Sequence, residues 1–191
     1  MKHTVKEKWN QIYRANNSEK PATSVMVEHV FLLPDSGVAL DIACGLGANA
    51  CFLAKQGLAT TAWDISEVAI AKLQQIALSK ALPVTPEVHE ITQNSFSENS
   101  FDVIIISQFL DRSLSDGIIS ALKPGGLLFY QTFNRDKIDS YGPNNPEFLL
   151  ANNELLTMFA PLKLIFYQEN GKIGNLSEGL RNETQFIGEK I

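Results

Sequence analysis

Short apolar runs alternate with amphipathic segments along most of the chain. Apolar runs rich in valine and isoleucine are typical of strands that are buried on both faces of a sheet. We predict strands over residues 38–42, 60–64, 84–91, 101–107, 127–133, 162–169 and 184–191. The segments between them predict helices over residues 48–56, 66–81, 113–122 and 152–159, preceded by a polar helical segment over residues 1–30.

The alternation of strands and helices favours an α/β fold of three layers, with a doubly wound, Rossmann-like sheet and right-handed crossovers. Only a polar loop with several glycines separates the last two predicted strands, which indicates a hairpin that closes one edge of the sheet. We therefore expect a mostly parallel sheet with an antiparallel C-terminal strand.

The length of 191 residues suits a single domain. Within residues 1–191 we expect three parts in sequence. Residues 1–34 form an N-terminal helical cap, residues 35–135 a cofactor-binding core, and residues 136–191 a C-terminal part that contains the closing hairpin.

The stretch LDIACGLGANACFLAKQG, residues 40–57, predicts a strand, a tight glycine turn and a helix. Gly45 and Gly47 fit the G-x-G-x-x-G/A pattern of dinucleotide-binding folds, which allows a nicotinamide dinucleotide. Asp41 precedes the turn, and its carboxylate repels a pyrophosphate but attracts a cation. S-adenosylmethionine carries an amino group and a sulfonium and no phosphate, so Asp41 favours it over the dinucleotide.

A second carboxylate, Asp64, ends the next predicted strand, 19 residues after Gly45. A carboxylate in that place can bind both ribose hydroxyls of an adenosine. Both candidate cofactors contain that ribose, so Asp64 does not discriminate between them.

Composition excludes several other classes of function. The net charge of −5 gives no electrostatic footprint for nucleic acid. No apolar run approaches the length of a membrane-spanning helix, and the N-terminus has no apolar core of a signal peptide. Cys44 and Cys51 do not have zinc-ligand spacing, so we expect no metal site and interpret both as packing residues in a reducing cytoplasm.

Four ordered motifs together resemble class I S-adenosylmethionine-dependent methyltransferases. They are LDIACGLGANACFLA, TTAWDIS, SFDVIIISQFL and LKPGGLLFYQTF, and they cover about residues 35–135. The pair CGLGANACFLA and TAWDIS is especially similar to the tellurite-resistance (TehB-like) branch. Two departures stand out: Ala43 replaces a frequent glycine, and Glu90 stands where the family often has a shorter acid.

The resemblance implies a site at the carboxyl ends of the strands. Asp41 would position the amino end of the methionine, Asp64 would hold the ribose, and Ile65 would pack on the adenine. The residues implied to bind S-adenosylmethionine are Asp41, Ala43, Gly45, Gly47, Asp64, Ile65, Glu90, Ile91, Ser107 and Gln108. The residues expected near the acceptor are Trp9 and Tyr13, as an aromatic lid, and Arg135 and Tyr141, on the loop after the fifth strand.

The leading hypothesis is methyl transfer from S-adenosylmethionine to a small-molecule acceptor by in-line displacement. Two alternatives remain open on the residues alone: a non-catalytic S-adenosylmethionine-binding module and an NAD-dependent oxidoreductase. No catalytic residue is assigned, since a soft or ionised acceptor needs no general base. We expect no nucleic-acid or membrane partner and a cytoplasmic location, and the sequence leaves the oligomeric state open.

Overall fold

Seven strands form one mixed sheet in the computed structural model, which describes residues 4–16 and 20–191. The strands are β1 (Gly37–Ile42), β2 (Leu58–Asp64), β3 (Val84–Val88), β4 (Phe101–Ser107), β5 (Leu122–Phe133), β6 (Lys163–Gln168) and β7 (Glu183–Glu189). Their order is β3-β2-β1-β4-β5-β7-β6, and β7 is antiparallel to both of its neighbours while the pairs from β3 to β5 are parallel. The predicted α/β class with an antiparallel C-terminal strand is confirmed.

Helices cover both faces of the sheet and connect most of its strands. They are α1 (Val5–Ala15), α2 (Ser24–Glu28), α3 (Ala48–Lys55), α4 (Glu67–Ser79), α5 (Ser115–Ala121) and α6 (Glu154–Met158). The helical segment predicted over residues 1–30 contains two separate helices, α1 and α2, and its residues 1–3 and 17–19 lie outside the described ranges. None of the helices within residues 4–16 and 20–191 has the length and apolar character needed to cross a bilayer.

Two strands, β3 and β5, differ in length from the prediction by three residues or more, and the others by at most two. β3 ends at Val88, because Val88 pairs with Asp64, the last residue of β2, and no neighbouring strand continues beyond it. β5 begins at Leu122, because Leu122 pairs with Phe101 ahead of an irregularity in the register. The predicted turn KPGG therefore lies inside this strand, as a local distortion at its start.

The core consists of two apolar layers, one on each face of the sheet. Ile104 and Ile106 of β4 pack into the layer that contains residues of α5 and α6. Val103 and Ile105 pack into the other layer, with residues of α2 and α3. Successive strand side chains point to opposite faces, so this division follows from the unbroken apolar run of β4.

The strand order reverses between β1 and β4, whose chain neighbours lie on opposite sides of them. In open α/β sheets, ligands bind outside the carboxyl ends of the strands at such a point. The fold thus brings the glycine turn after β1, the acid that ends β2 and the polar residues after β4 to one edge of the sheet.

Gly47 provides a test of how tightly this edge is packed. It has φ 77° at the start of α3, and a Cβ there would overlap the side chain of Leu73 in α4. We expect Gly47→Ala to lower the free energy of unfolding by about 2–4 kcal/mol, because backbone strain and overpacking add. Urea denaturation measures the change.

Gly125 is the matched control. It has φ 78°, but a Cβ there would have no heavy atom within 4 Å. Gly125→Ala should lower the free energy of unfolding by about 1–2 kcal/mol, because it adds backbone strain without overpacking. Equal losses for the two variants would contradict the packing role of Gly47.

Candidate functional site

Asp41 lies fully buried in β1, next to the glycine turn. Its Oδ2 accepts a hydrogen bond of 2.9 Å from the N–H of Ala50 in α3. Its Oδ1 is buried and has no hydrogen-bond partner within the described part of the chain. Burial raises the pKa of Asp41 to about 8; the Asp64 carboxylate acts in the same direction, and the N–H of Ala50 opposes it.

Asp64 ends β2 and joins two turns. Its Oδ2 accepts from the N–H of Gly45 and its Oδ1 from the N–H of Ser66, both at 2.8 Å. Burial raises the pKa of Asp64, and these two N–H groups partly counteract that rise. Each carboxylate oxygen has a second lone pair, so Asp64 can still accept hydrogen bonds from a ligand.

Three alternate residues of the turn have left-handed backbone conformations. Ala43 has φ 55°, Gly45 has φ 53° and Gly47 has φ 77°. Glycine adopts this region without a steric penalty, whereas alanine does not. Ala43, the residue that departs from the family pattern, is therefore the strained position of the turn.

The helix α1 lies over the glycine turn. A Cβ on Gly45 would lie 2.5 Å from the hydroxyl oxygen of Tyr13. Burial and the charges of Asp64, Cys44 and Asp41 raise the pKa of Tyr13, so its hydroxyl shares one environment with both acids. The ring of Trp9 stacks on Tyr13 at 5.8 Å between centroids, and Trp9 remains 37% exposed.

Contacts with α4 hold α1 in this place, and the sequence analysis missed them. Asn10 is buried, and its Oδ1 accepts a 2.7 Å hydrogen bond from the hydroxyl of Ser66. The Nζ of Lys72 donates to the backbone carbonyl of Tyr13, and Lys6 forms an exposed ion pair with Glu67 at 3.0 Å. A lone asparagine on a polar helix gives no local signal of such a role.

The residues implied to face the adenine follow β2 and β3. Ile65 and Ile91 are half-buried, whereas Glu90 is exposed. Ile91 packs against the apolar layer that includes Trp63. The N–H of His89 donates to the carbonyl of Asp64 at 2.9 Å, which places the start of this loop beside the ribose-binding candidate.

Ser107 and Gln108 lie at the end of β4 but have different partners. The hydroxyl of Ser107 accepts from Nδ2 of Asn49 at 2.9 Å, and the Oδ1 of Asn49 accepts from the N–H of Thr23. Gln108 is exposed, and its Nε2 donates to Oε1 of Glu183 at 3.3 Å and to the hydroxyl of Tyr141 at 3.5 Å.

The two acceptor candidates on the loop after β5 have different surroundings. Tyr141 is 56% exposed and packs edge-on against Phe133 at 5.5 Å between ring centroids. Arg135 is exposed, and its charge helps to lower the pKa of Glu154. Tyr141 therefore lies beside Gln108, whereas the charge of Arg135 acts on Glu154.

Buried polar residues at this edge are a second group that the sequence analysis missed. Gln131 of β5 and Glu183 and Gln185 of β7 are each at most 6% exposed. Oε2 of Glu183 accepts from Nε2 of Gln131 at 2.5 Å. Isolated polar residues within apolar strands are the only signal for them in the sequence.

Cys44 and Cys51 form no disulfide within the described ranges; both are half-buried and pack beside the apolar cluster between α3 and α4. Burial, more than the nearby charges of Asp41 and Asp64, raises the pKa of the Cys44 thiol. Across residues 4–16 and 20–191, no group of three or more histidine, cysteine or acidic side chains has a metal-binding arrangement.

The strand order, the acid followed by a glycine turn after β1 and the acid at the end of β2 define a fold and site of the class I methyltransferase type. Comparison with known proteins agrees: residues 39–126 match the family described as "Methyltransferase domain". Residues 39–126 are therefore similar to a methyltransferase domain, a class whose cofactor is S-adenosylmethionine.

The relatives confirm the TehB-like resemblance. The probable S-adenosyl-L-methionine-dependent methyltransferase TehB of Haemophilus influenzae is 29% identical over 139 residues, which are 69% of this chain and 48% of that protein. A ubiquinone biosynthesis O-methyltransferase of Coxiella burnetii is 29% identical over 102 residues, 51% of this chain and 44% of that protein. The chain thus spans about half the length of the curated relatives it matches.

A solved structure agrees at the level of the fold. The crystal structure of TehB from Haemophilus influenzae superposes with a TM-score of 0.74 at 21% sequence identity. The superposition covers 97% of this chain and 68% of that one. The whole sheet, including its antiparallel β7, is therefore the fold of this class.

Ala43 provides a test of the strained turn. Because Ala43 has φ 55°, we expect Ala43→Gly to raise the free energy of unfolding by about 1 kcal/mol. Ala39→Gly, in the regular strand β1, is the control and should lower that energy, since it removes a buried methyl group. Urea denaturation compares them, and a loss of stability in Ala43→Gly would show that its methyl group outweighs the strain.

Proposed function

We propose that the protein is an S-adenosylmethionine-dependent methyltransferase that transfers a methyl group to a small-molecule acceptor by in-line displacement. The observation that supports this most directly is the unpartnered, buried Oδ1 of Asp41 beside the glycine turn. A buried oxygen of this kind lacks a hydrogen-bond donor. The amino group of the cofactor is such a donor and is positively charged.

The other residues of the turn fit the same ligand. Asp64 retains acceptor capacity for ribose hydroxyls beyond its bonds to Gly45 and Ser66. Asp41 and the hydroxyl of Tyr13 also border the turn, and no ion pair includes Asp41 within the described ranges. An acidic pocket of this kind favours a cation over a pyrophosphate.

The proposed roles follow the strand ends. Asp41 binds the amino group, directly or through water, and Asp64 binds the ribose. Ala43, Gly45 and Gly47 line the backbone side of the cofactor, and Ile65, Glu90 and Ile91 its adenine side. Ser107 and Gln108 face the region where the methyl group is transferred.

When bound, S-adenosylmethionine would supply a methyl group on positively charged sulfur. The acceptor lone pair would bond to the methyl carbon in line with the carbon–sulfur bond that breaks, so that S-adenosylhomocysteine leaves. The chain contributes alignment, which can lower a barrier by roughly 7–11 kcal/mol in well-oriented reactions. We propose that Trp9 and Tyr13 on α1 exclude water from the cofactor. The hydrogen bonds from the N–H groups of Ala50 and Ser66 orient Asp41 and Asp64, the two carboxylates that are proposed to hold the cofactor.

The acceptor is proposed to be small. Within residues 4–16 and 20–191, the parts outside the core that can enclose it are α1, α2, the loop after β5 and the segment between β6 and β7, and a net charge of −5 does not favour a polyanion. Tyr141, with Arg135 on the same loop, is proposed to border the acceptor. Cys44 and Cys51 form no disulfide in the described ranges, which supports a cytoplasmic location.

Calorimetric titration tests the choice of cofactor. We expect S-adenosylhomocysteine to bind and NAD not to bind. Asp64→Asn should lower the affinity for S-adenosylhomocysteine by about tenfold, because one charge-assisted hydrogen bond is lost. Asp116→Asn, which changes an exposed acid of α5, is the control and should bind as the wild type does.

Labelled methyl transfer tests the reaction itself. Small thiols, amines and oxyanions are offered beside bulk RNA, DNA and protein, and label is expected on a small molecule. Label that appears only on a macromolecule would exclude a small acceptor. Binding of S-adenosylhomocysteine without any transfer would support a non-catalytic binding module.

The pKa of Asp41 generates a pH dependence. Burial raises that pKa to about 8, so the ionised fraction grows about tenfold per pH unit between pH 6 and 7. Because a cationic amino group binds the ionised form, the affinity for S-adenosylhomocysteine should rise by a similar factor over that interval and level off above pH 8. Calorimetry at several pH values measures it.

Asp41→Asn is the control for this dependence. The amide does not titrate, so the affinity should be lower than in the wild type and flat between pH 6 and 8. A slope that persists in Asp41→Asn would assign the titration to another group.

A further inference from the structure

Glu183 begins β7 and is buried at the edge of the sheet where β4 and β5 end. Two glutamine amides hold its carboxylate. Nε2 of Gln131 donates to Oε2 at 2.5 Å, and Nε2 of Gln108 donates to Oε1 at 3.3 Å.

A backbone group fixes the orientation of this network. The N–H of Val25, which can only donate, is bonded to Oε1 of Gln131 at 3.0 Å. The amide nitrogen of Gln131 must then point at Glu183. This amide therefore donates to Glu183, as a carboxylate requires of its partners.

This carboxylate has no cationic partner in the described ranges, where no ion pair includes Glu183. Burial of an anion with only neutral donors is costly. A second acceptor on the same face of β7, Oε1 of Gln185, is also buried without a hydrogen-bond partner within the described ranges. Gln185 thus has an acceptor without a donor, and Glu183 has an anionic charge without a cation.

The Glu183 carboxylate lies close to exposed side chains that follow the end of β4. Its Oε1 contacts Gln108, which is exposed and also donates to the hydroxyl of the exposed Tyr141. A carboxylate can accept about four hydrogen bonds, and two of them are accounted for by the glutamines. Positions for further donors therefore remain beside the end of β4.

We propose that Glu183 selects the methyl acceptor by charge, and that the acceptor carries a protonated nitrogen group bound by this carboxylate. The proposal rests on the proposed function, because it places the acceptor beside the end of β4. The protonated nitrogen is an anchor, and the atom that takes the methyl group is another atom of the same molecule. An anionic acceptor is disfavoured, since it would lie against a buried negative charge.

Binding of three compounds with the same carbon chain tests the charge preference. Butylammonium, 1-butanol and butyrate are titrated by ligand-observed NMR into the protein saturated with S-adenosylhomocysteine. We expect butylammonium to bind about tenfold or more tightly than the other two, through charge-assisted hydrogen bonds. Equal binding, preference for butyrate, or no binding of butylammonium to the wild type would overturn the proposal.

Variants assign the preference to Glu183. Glu183→Gln should abolish it while S-adenosylhomocysteine binds as in the wild type, and Glu183→Asp should retain part of it because the charge remains. Glu189→Gln changes a partly exposed acid at the other end of β7 and should leave the preference intact. A preference that survives in Glu183→Gln would overturn the proposal.

Failure of the proposed function gives a different result, since S-adenosylhomocysteine would then not bind to the wild type, or would bind in a protein that transfers no methyl group. If Glu183→Gln proves unstable in a thermal melt, the comparison of the wild type with Glu183→Asp still measures the preference. A smaller preference in Glu183→Asp, with S-adenosylhomocysteine bound normally, would support the proposal through the distance dependence of the interaction, and an undiminished one would overturn it.

Discussion

The hydrogen bonds from backbone N–H groups to the buried carboxylates of Asp41 and Asp64 are the constraint on which the site depends. Asp41 accepts from the first turns of α3, and Asp64 accepts from the glycine turn and from Ser66 ahead of α4. Hydrogen bonds to charged groups stabilise by about 1.5–3 kcal/mol, yet they do not cancel the cost of burial here, since both pKa values are raised. The edge of the sheet is therefore organised around negative charge that the chain itself leaves only partly compensated.

The sequence predicted those parts of the fold and site that depend on local pattern. Apolar runs predicted β1, β2 and β4 closely because strands buried on both faces need no polar alternation, and glycines with an acid predicted the turn. The limits of β3 and β5 were wrong because pairing partners set them: Val88 has Asp64 opposite it, and Leu122 has Phe101. The residues near a strand end in the sequence do not indicate which residue will pair with it.

The polar contacts around the site could not be predicted for a related reason. Asn10 meets Ser66, Asn49 meets Ser107, and Gln131 meets Glu183, each across more than fifty residues of chain. A single asparagine or glutamine in a sequence has no signature of its partner. The tertiary fold alone creates these pairs, so the positions of strand-end residues such as Asp41 and Asp64 were accessible from the sequence and the groups that contact them were not.

The place of β7 between β5 and β6 has a consequence for how the molecule is made. The strands emerge from the ribosome in chain order, so β5 and β6 exist before the strand that must separate them. Until β7 inserts, β5 has a free edge with unpaired backbone groups, and such edges are prone to wrong pairing. β7 also brings Glu183 and Gln185 to the end of β5, so a nascent chain can form the glycine turn early but can bury these two polar residues only after β7 has inserted.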